Sequence, residues 1–133
     1  MPPVSRRGRV MTVILAVVWT GAFVATHIPA GKIPPTGTSD VVLHLIGYAV
    51  LGMVLLMTLS CRGVSRARAG AVAGVVLPLY AAFDEITQPL VNRSASTVDW
   101  AFDCLGAAVA MVAWWSLLAL ARPRLRRGAR PAE

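Results

Sequence analysis

Charge is scarce in this sequence. Asp, Glu, Lys and Arg make up 14% of 133 residues, against about 25% in an ordinary soluble domain. Lysine is nearly absent, with Lys32 alone against a background of arginines, and there are only six acids and two cysteines. The cysteines form neither a Cys-x-x-Cys pair nor a Cys/His zinc spacing, which excludes a redox motif and a zinc finger. Cys61 and Cys104 fall at opposite ends of their apolar runs, too far apart for a disulfide. No internal repeat is present. The basic residues lack the setting of a nucleic-acid-reading fold, so nucleic acid is excluded as a partner.

What fills the chain is apolar: 56% of residues are hydrophobic and the mean hydropathy is +0.66. A bilayer core about 30 Å thick needs roughly 20 apolar residues to span it as a helix. Four stretches qualify, about 10–27, 40–61, 69–88 and 97–121, within one domain of residues 10–121. An open sheet cannot cross lipid with its backbone groups paired. The expected fold is an all-α membrane protein, a bundle of four transmembrane helices. The first run also resembles a signal peptide, "RRGR" before an apolar stretch. It has no small-x-small cleavage site before His27, and cleavage would leave three helices.

Arginine sets the topology. Arg6, Arg7 and Arg9 precede the first run; Arg62, Arg66 and Arg68 separate the second and third; Arg122, Arg124, Arg126, Arg127 and Arg130 follow the fourth. Eleven basic residues thus share one side, and only Lys32 and Arg93 lie on the other. By the positive-inside rule both termini are cytoplasmic, with residues 1–9 and 122–133 as basic tails.

The acids take the opposite side. Asp84 lies fifteen residues into the third run and Asp103 eighteen residues before the end of the fourth, about 22 and 27 Å from the inner boundary. Asp40, Glu85 and Asp99 join them, so five of the six acids gather at the outer end with His27, His44, Gln88, Asn92 and Arg93. Residues four apart share a helix face. Asp40, His44 and Tyr48 form one such stripe, Tyr80, Asp84 and Gln88 a second, and Asp99 and Asp103 a third that continues through Gly106 and Ala110. An ionisable group facing lipid is costly, so the stripes are expected to converge inside the bundle. Gly47, Gly70, Gly74, Gly106 and Ala107 are expected to let backbones approach. Pro78 is expected to kink the third helix a turn before Asp84.

Local roles compete for some of these residues. Asp40 and Asp99 suit the first turn of a helix, where the dipole favours negative charge. Asp103 lies too far inside its helix for that. Asp84 and Glu85 sit at a helix C-terminus, where the dipole disfavours them, so Arg93, His44 or a ligand is expected to hold them. An internal cluster of salt bridges and hydrogen bonds pinning the helix ends would use the same residues.

Two blocks of this sequence resemble the VanZ-like family, small bacterial membrane proteins named for a glycopeptide-resistance factor. The first is an Asp-x-x-x-His-x-x-x-Tyr pattern opening a membrane helix, "DVVLHLIGYAVLG". The second is Glu-x-x-Gln, then Arg-x-x-Ser-x-x-Asp, then a polar residue and Gly, in "DEITQPLVNRSASTVDWAFDCLG". Asp40, His44 and Tyr48 match the first block; Glu85, Gln88, Arg93, Ser96, Asp99 and Gly106 match the second. The chain departs from the pattern at Val41, where the family often has Lys, and at Asp103, where it often has Asn. The resemblance implies a plasma-membrane protein linked to resistance to lipophilic glycopeptides such as teicoplanin.

The residues support two classes of function. In the first, Asp40, His44, Tyr48, Asp84, Glu85, Gln88, Arg93, Ser96, Asp99 and Asp103 form an outward pocket at lipid-headgroup level. That pocket binds a membrane lipid or lipid-linked cell-envelope precursor, with Arg93 as anion anchor. In the second, the chain is an intramembrane hydrolase or transferase acting on a lipid-linked phosphate or ester. Its candidate catalytic residues are Asp40, His44, Glu85 and Asp99. A divalent cation is its possible cofactor, with His44, Asp40, Glu85, Asp99 and Asp103 as candidate ligands. Ser94 and Ser96 lack the strained-turn signature of a serine nucleophile. A proton-coupled transporter fits less well, because no polar path crosses the inner half.

Overall fold

The computed structural model describes residues 5–29, 32 and 37–127, with the backbone alone for 122–127. The ends of both expected tails lie outside the described residues, as does part of the loop before Asp40. Four α-helices account for nearly all the rest: α1 (Arg6–Thr26), α2 (Asp40–Cys61), α3 (Arg66–Thr87) and α4 (Thr97–Arg127). A 3-10 turn, Gln88–Val91, extends α3. Each helix contains a segment long and apolar enough to cross a membrane. The protein is therefore a multi-pass membrane protein with an all-α, four-helix fold.

Helix ends follow local chemistry. Ser5 Oγ accepts from Gly8 N–H at 3.1 Å and Ser96 Oγ from Asp99 N–H at 3.1 Å, each satisfying an N–H that the helix leaves unpaired. Gly63, at φ +78°, ends α2. There Gly63 N–H reaches Ser60 O and Val64 N–H reaches Leu59 O, both at 3.0 Å, the Schellman arrangement that a left-handed residue permits. Asn92, at φ 59°, ends the 3-10 turn in the same way. Expected limits shift where apolarity was the guide. α1 and α3 each begin a turn earlier, among arginines, and α4 runs on past Ala121 to Arg127. A helix needs backbone pairing rather than apolar side chains, so it outlasts the apolar segment on its watery side.

The helices run up and down. Start of α1 meets end of α2, where Thr58 Oγ1 donates to Met11 O at 3.1 Å. End of α1 meets end of α3, through Thr26 and Asp84. Start of α2 meets start of α4, through His44 and Asp103. The core is Leu51, Leu55 and Leu56 of α2 against Ala69, Ala73 and Leu77 of α3 and Ala107 and Ala110 of α4. Small residues on α3 and α4 let α2 seat deeply. Many apolar side chains are well exposed, including Val13, Val17, Leu79, Val112 and Leu120, and face where lipid would be.

Close approach falls on two glycines. A Cβ on Gly106 would overlap the Leu45 carbonyl oxygen and lie 3.0 Å from Ala49 N; one on Gly52 would lie 2.9 Å from the Ala110 Cβ. Gly47 and Gly74, expected in this role, have nothing within 4 Å, and Gly70 abuts only the Trp115 ring. Spacing placed small residues on a stripe but not the rotation of that stripe toward a neighbour. Pro78 lies inside α3, and the carbonyl of Pro78 accepts the Trp100 indole N–H at 3.2 Å. Cys61 and Cys104 are free.

Candidate functional site

The polar stripes meet at the end of the bundle opposite the start of α1 and the end of α4. α2 begins there with Asp40 exposed and turns His44 and Tyr48 inward one and two turns later, both buried. α4 begins beside it and buries Asp103 completely. Gly106, one turn beyond Asp103, brings the two backbones together, so His44 Nδ1 and Asp103 Oδ1 lie 3.0 Å apart. This is a link across 59 residues that neither helix could make alone.

Glu85 enters from α3, also buried. Gln88 Nε2 donates to its Oε1 at 3.0 Å, and Ser96 backbone N–H donates to its Oε2 at 2.6 Å. One carboxylate thereby fixes the turn after α3 and the start of α4. Ser96 in turn caps α4, with Asp99 three residues on. Ligand-capable atoms of His44, Glu85 and Asp103 lie within 4.8 Å of one another, and so do those of Asp40, His44 and Asp99. His44 belongs to both groups.

Asp84 turns instead toward α1. Thr26 Oγ1 donates to Asp84 Oδ1 at 2.9 Å, and His27 Nδ1 lies 3.7 Å from the same oxygen. The His27 ring stacks on Phe23 with centroids 4.0 Å apart, and its Nε2 lies 2.9 Å from Thr87 Oγ1. Of the partners expected for Asp84 and Glu85, which were Arg93, His44 or a ligand, Arg93 pairs elsewhere. It reaches Asp40, donating from its guanidinium to Oδ2 at 2.7 Å. The Asp40 side chain is 52% exposed and that of Arg93 only 9%, so the pair forms a rim rather than a core bridge. The left-handed Asn92 just before Arg93 ends the 3-10 turn and sends the chain back across the start of α2.

All ten residues expected in the pocket therefore lie at this one end. Asp40, His44, Glu85, Gln88, Arg93, Ser96, Asp99 and Asp103 are joined by the contacts above, while Asp84 faces a separate partner set. Thr26 and Thr87 were missed, and His27 and Tyr80, though placed at this end by the sequence, were not counted among the pocket residues. Threonines at helix ends carry no distinctive pattern, though His27 beside a helix C-terminus at the polar end was a usable signal.

Four buried polar atoms at this end have no hydrogen-bond partner among the described residues: Tyr48 OH, Tyr80 OH, Asp84 Oδ2 and Asp103 Oδ2. A buried polar group left unpaired costs about 1–3 kcal/mol, so each of these atoms calls for an ordered water, an ion or a ligand as its partner. Charge adds to this. Asp84, Glu85 and Asp103 are 1%, 5% and 0% exposed, and the basic groups beside them are histidines, because Arg93 is committed to Asp40. From outside, a groove of about 240 Å³ between α3 and the start of α4 leads to Glu85 and Ser96 past Ala82, Ile86 and Trp100. The arrangement can accept a cation, orient an imidazole against a carboxylate, and receive an apolar chain alongside. Compared with protein families, curated proteins and solved structures, the chain matches none.

Proposed function

We propose that this chain is a VanZ-like protein of the bacterial plasma membrane, with both termini cytoplasmic. In this reading its pocket faces outward at lipid-headgroup level and binds a lipid or lipid-linked cell-envelope precursor, contributing to resistance to teicoplanin-type lipoglycopeptides. The observation that carries it is the union of an apolar groove with a buried polar cluster at one end of a membrane bundle. An acyl or polyprenyl chain suits the groove beside Ile86 and Trp100, and its headgroup would then meet Glu85, Ser96 and the rim. Arg93 supports an anionic headgroup: a guanidinium has five N–H donors in a planar fork, and half-exposed Asp40 is a partner that a phosphate can replace. The arginine distribution supports the orientation.

Native mass spectrometry of the detergent-purified protein, offered phosphatidylglycerol and an undecaprenyl-pyrophosphate-linked precursor, tests this. Retention of one anionic lipid, lost in Arg93→Gln, is the expected result. Retention of neither by the parent protein refutes it.

A second reading, an intramembrane hydrolase or transferase acting on a lipid-linked phosphate or ester, is favoured by the His44–Asp103 contact. A carboxylate at 3.0 Å from Nδ1 orients an imidazole for general-base work. Release of a water-soluble headgroup from the retained lipid would distinguish it from simple binding.

A further inference from the structure

We infer that His44, Glu85 and Asp103 form a binding site for a first-row divalent cation, Zn²⁺ or Mn²⁺. The three side chains come from α2, α3 and α4, all are at least nine-tenths buried, and their ligand-capable atoms lie within 4.8 Å of one another. Two ligand atoms at right angles around one ion, each at about 2.1 Å, are themselves about 3 Å apart. His44 Nδ1 and Asp103 Oδ1 are 3.0 Å apart, the spacing of adjacent ligands.

The independent observation is Asp103 Oδ2, fully buried and without a hydrogen-bond partner among the described residues. The His44 imidazole meets only Oδ1, so one side of this buried carboxylate is left unsatisfied. A cation satisfies this oxygen and offsets the charge of Glu85 in the same step. Glu85 is already oriented for the purpose, since Gln88 Nε2 and Ser96 N–H each hold one of its oxygens and leave lone pairs for a metal. Such outer hydrogen bonds characterise ligating carboxylates.

Donor chemistry selects the ion. One imidazole with two carboxylates and no thiolate is a borderline set, disfavouring the oxygen-preferring Ca²⁺ and Mg²⁺ as well as thiophilic ions. The Asp40–His44–Asp99 group is the weaker alternative, because Asp40 is half exposed and paired with Arg93.

The test uses full-length protein in detergent, stripped with a chelator and then given Zn²⁺, Mn²⁺, Mg²⁺ or Ca²⁺ separately. Metal content after gel filtration and melting temperature are read together. One Zn²⁺ or Mn²⁺ per chain with a raised melting temperature is expected, with no such response to Mg²⁺ or Ca²⁺. Affinity falls at least tenfold in Asp103→Asn and His44→Gln and persists in Cys61→Ser/Cys104→Ser. No retained metal, unchanged affinity in Asp103→Asn, or loss in the cysteine variant overturns the site. Should the two ligand variants fail to fold, pulsed electron paramagnetic resonance on the Mn²⁺-loaded parent decides. Coupling to an imidazole nitrogen is expected, and its absence overturns the proposal. No lipid is present, so this outcome and that of the lipid-binding experiment are independent.

Discussion

Replacing Gly106 by alanine adds one methyl group at the place where α2 and α4 come closest. The added Cβ would overlap the Leu45 carbonyl oxygen and sit 3.0 Å from Ala49 N and 3.1 Å from Leu45 C. All three are backbone atoms of a helix, so no side chain can swing away, and α4 must retreat as a body. A gap of about 0.5–1 Å forfeits a quarter to a half of the dispersion attraction of each contact it opens. Here those contacts are Ala107 in the cluster with Leu51 and Leu55, and Ala107 and Ala110 beside Gly52. The same retreat stretches His44 Nδ1···Asp103 Oδ1 from 3.0 Å toward the limit of a hydrogen bond. Overpacking of this kind costs about 1–3 kcal/mol, and the weakened buried contact adds about 1 kcal/mol. Against this stands the gain of alanine over glycine in a helix, about 1 kcal/mol. The net expectation is a loss of about 1–3 kcal/mol for Gly106→Ala. Gly47→Ala is the matched control, since nothing lies within 4 Å of its added Cβ; it should be neutral or mildly stabilising. Thermal unfolding in detergent, followed by tryptophan fluorescence, reads both. Gly106→Ala as stable as Gly47→Ala would refute the close packing of α2 on α4 that assembles the pocket.

Other consequences are open to measurement. The Arg93–Asp40 pair has one half-exposed partner, so a double-mutant cycle with Arg93→Gln and Asp40→Asn should give a coupling under about 1 kcal/mol; a value above 3 would mean the pair is buried in the protein as it exists in a bilayer. Glu85→Ala strands the Gln88 amide and the Ser96 N–H together, each costing about 1–3 kcal/mol when left unpaired. Glu85→Gln keeps an acceptor oxygen and should melt closer to the parent, and equal melting of the two would show that Glu85 does not hold this turn. With the native cysteines removed, Ser94→Cys in the exposed turn before α4 should react with a membrane-impermeant maleimide in intact cells; labelling only after permeabilisation would reverse the orientation.

Four helices, their order and their polar end were legible in the sequence because each rests on a property of one segment. An apolar run of about 20 residues must be a helix in lipid. α2 runs from Asp40 to Cys61, and Gly63 just beyond it takes the left-handed conformation that ends a helix. The stripe from Asp40 through His44 to Tyr48 needs only the pitch of a helix, as does the cap from Ser96 to Asp99 N–H. What the tertiary structure alone decided is which stripe faces which. Asp84 finds Thr26 and Glu85 finds Ser96 N–H, while Arg93 passes both and takes Asp40. Gly106 and Gly52, rather than Gly47 or Gly74, carry the close contacts. In water, apolar periodicity would have marked the inward face of each helix. Lipid removes that cue, because the outside is as apolar as the inside: the exposed Val13, Leu79 and Leu120 are more hydrophobic than the buried Ala69, Ala73 and Ala107. Rotation about each helix axis is then set by the fit of small residues against a neighbouring backbone and by polar groups finding one another. Both are properties of pairs of helices brought together from distant parts of the chain.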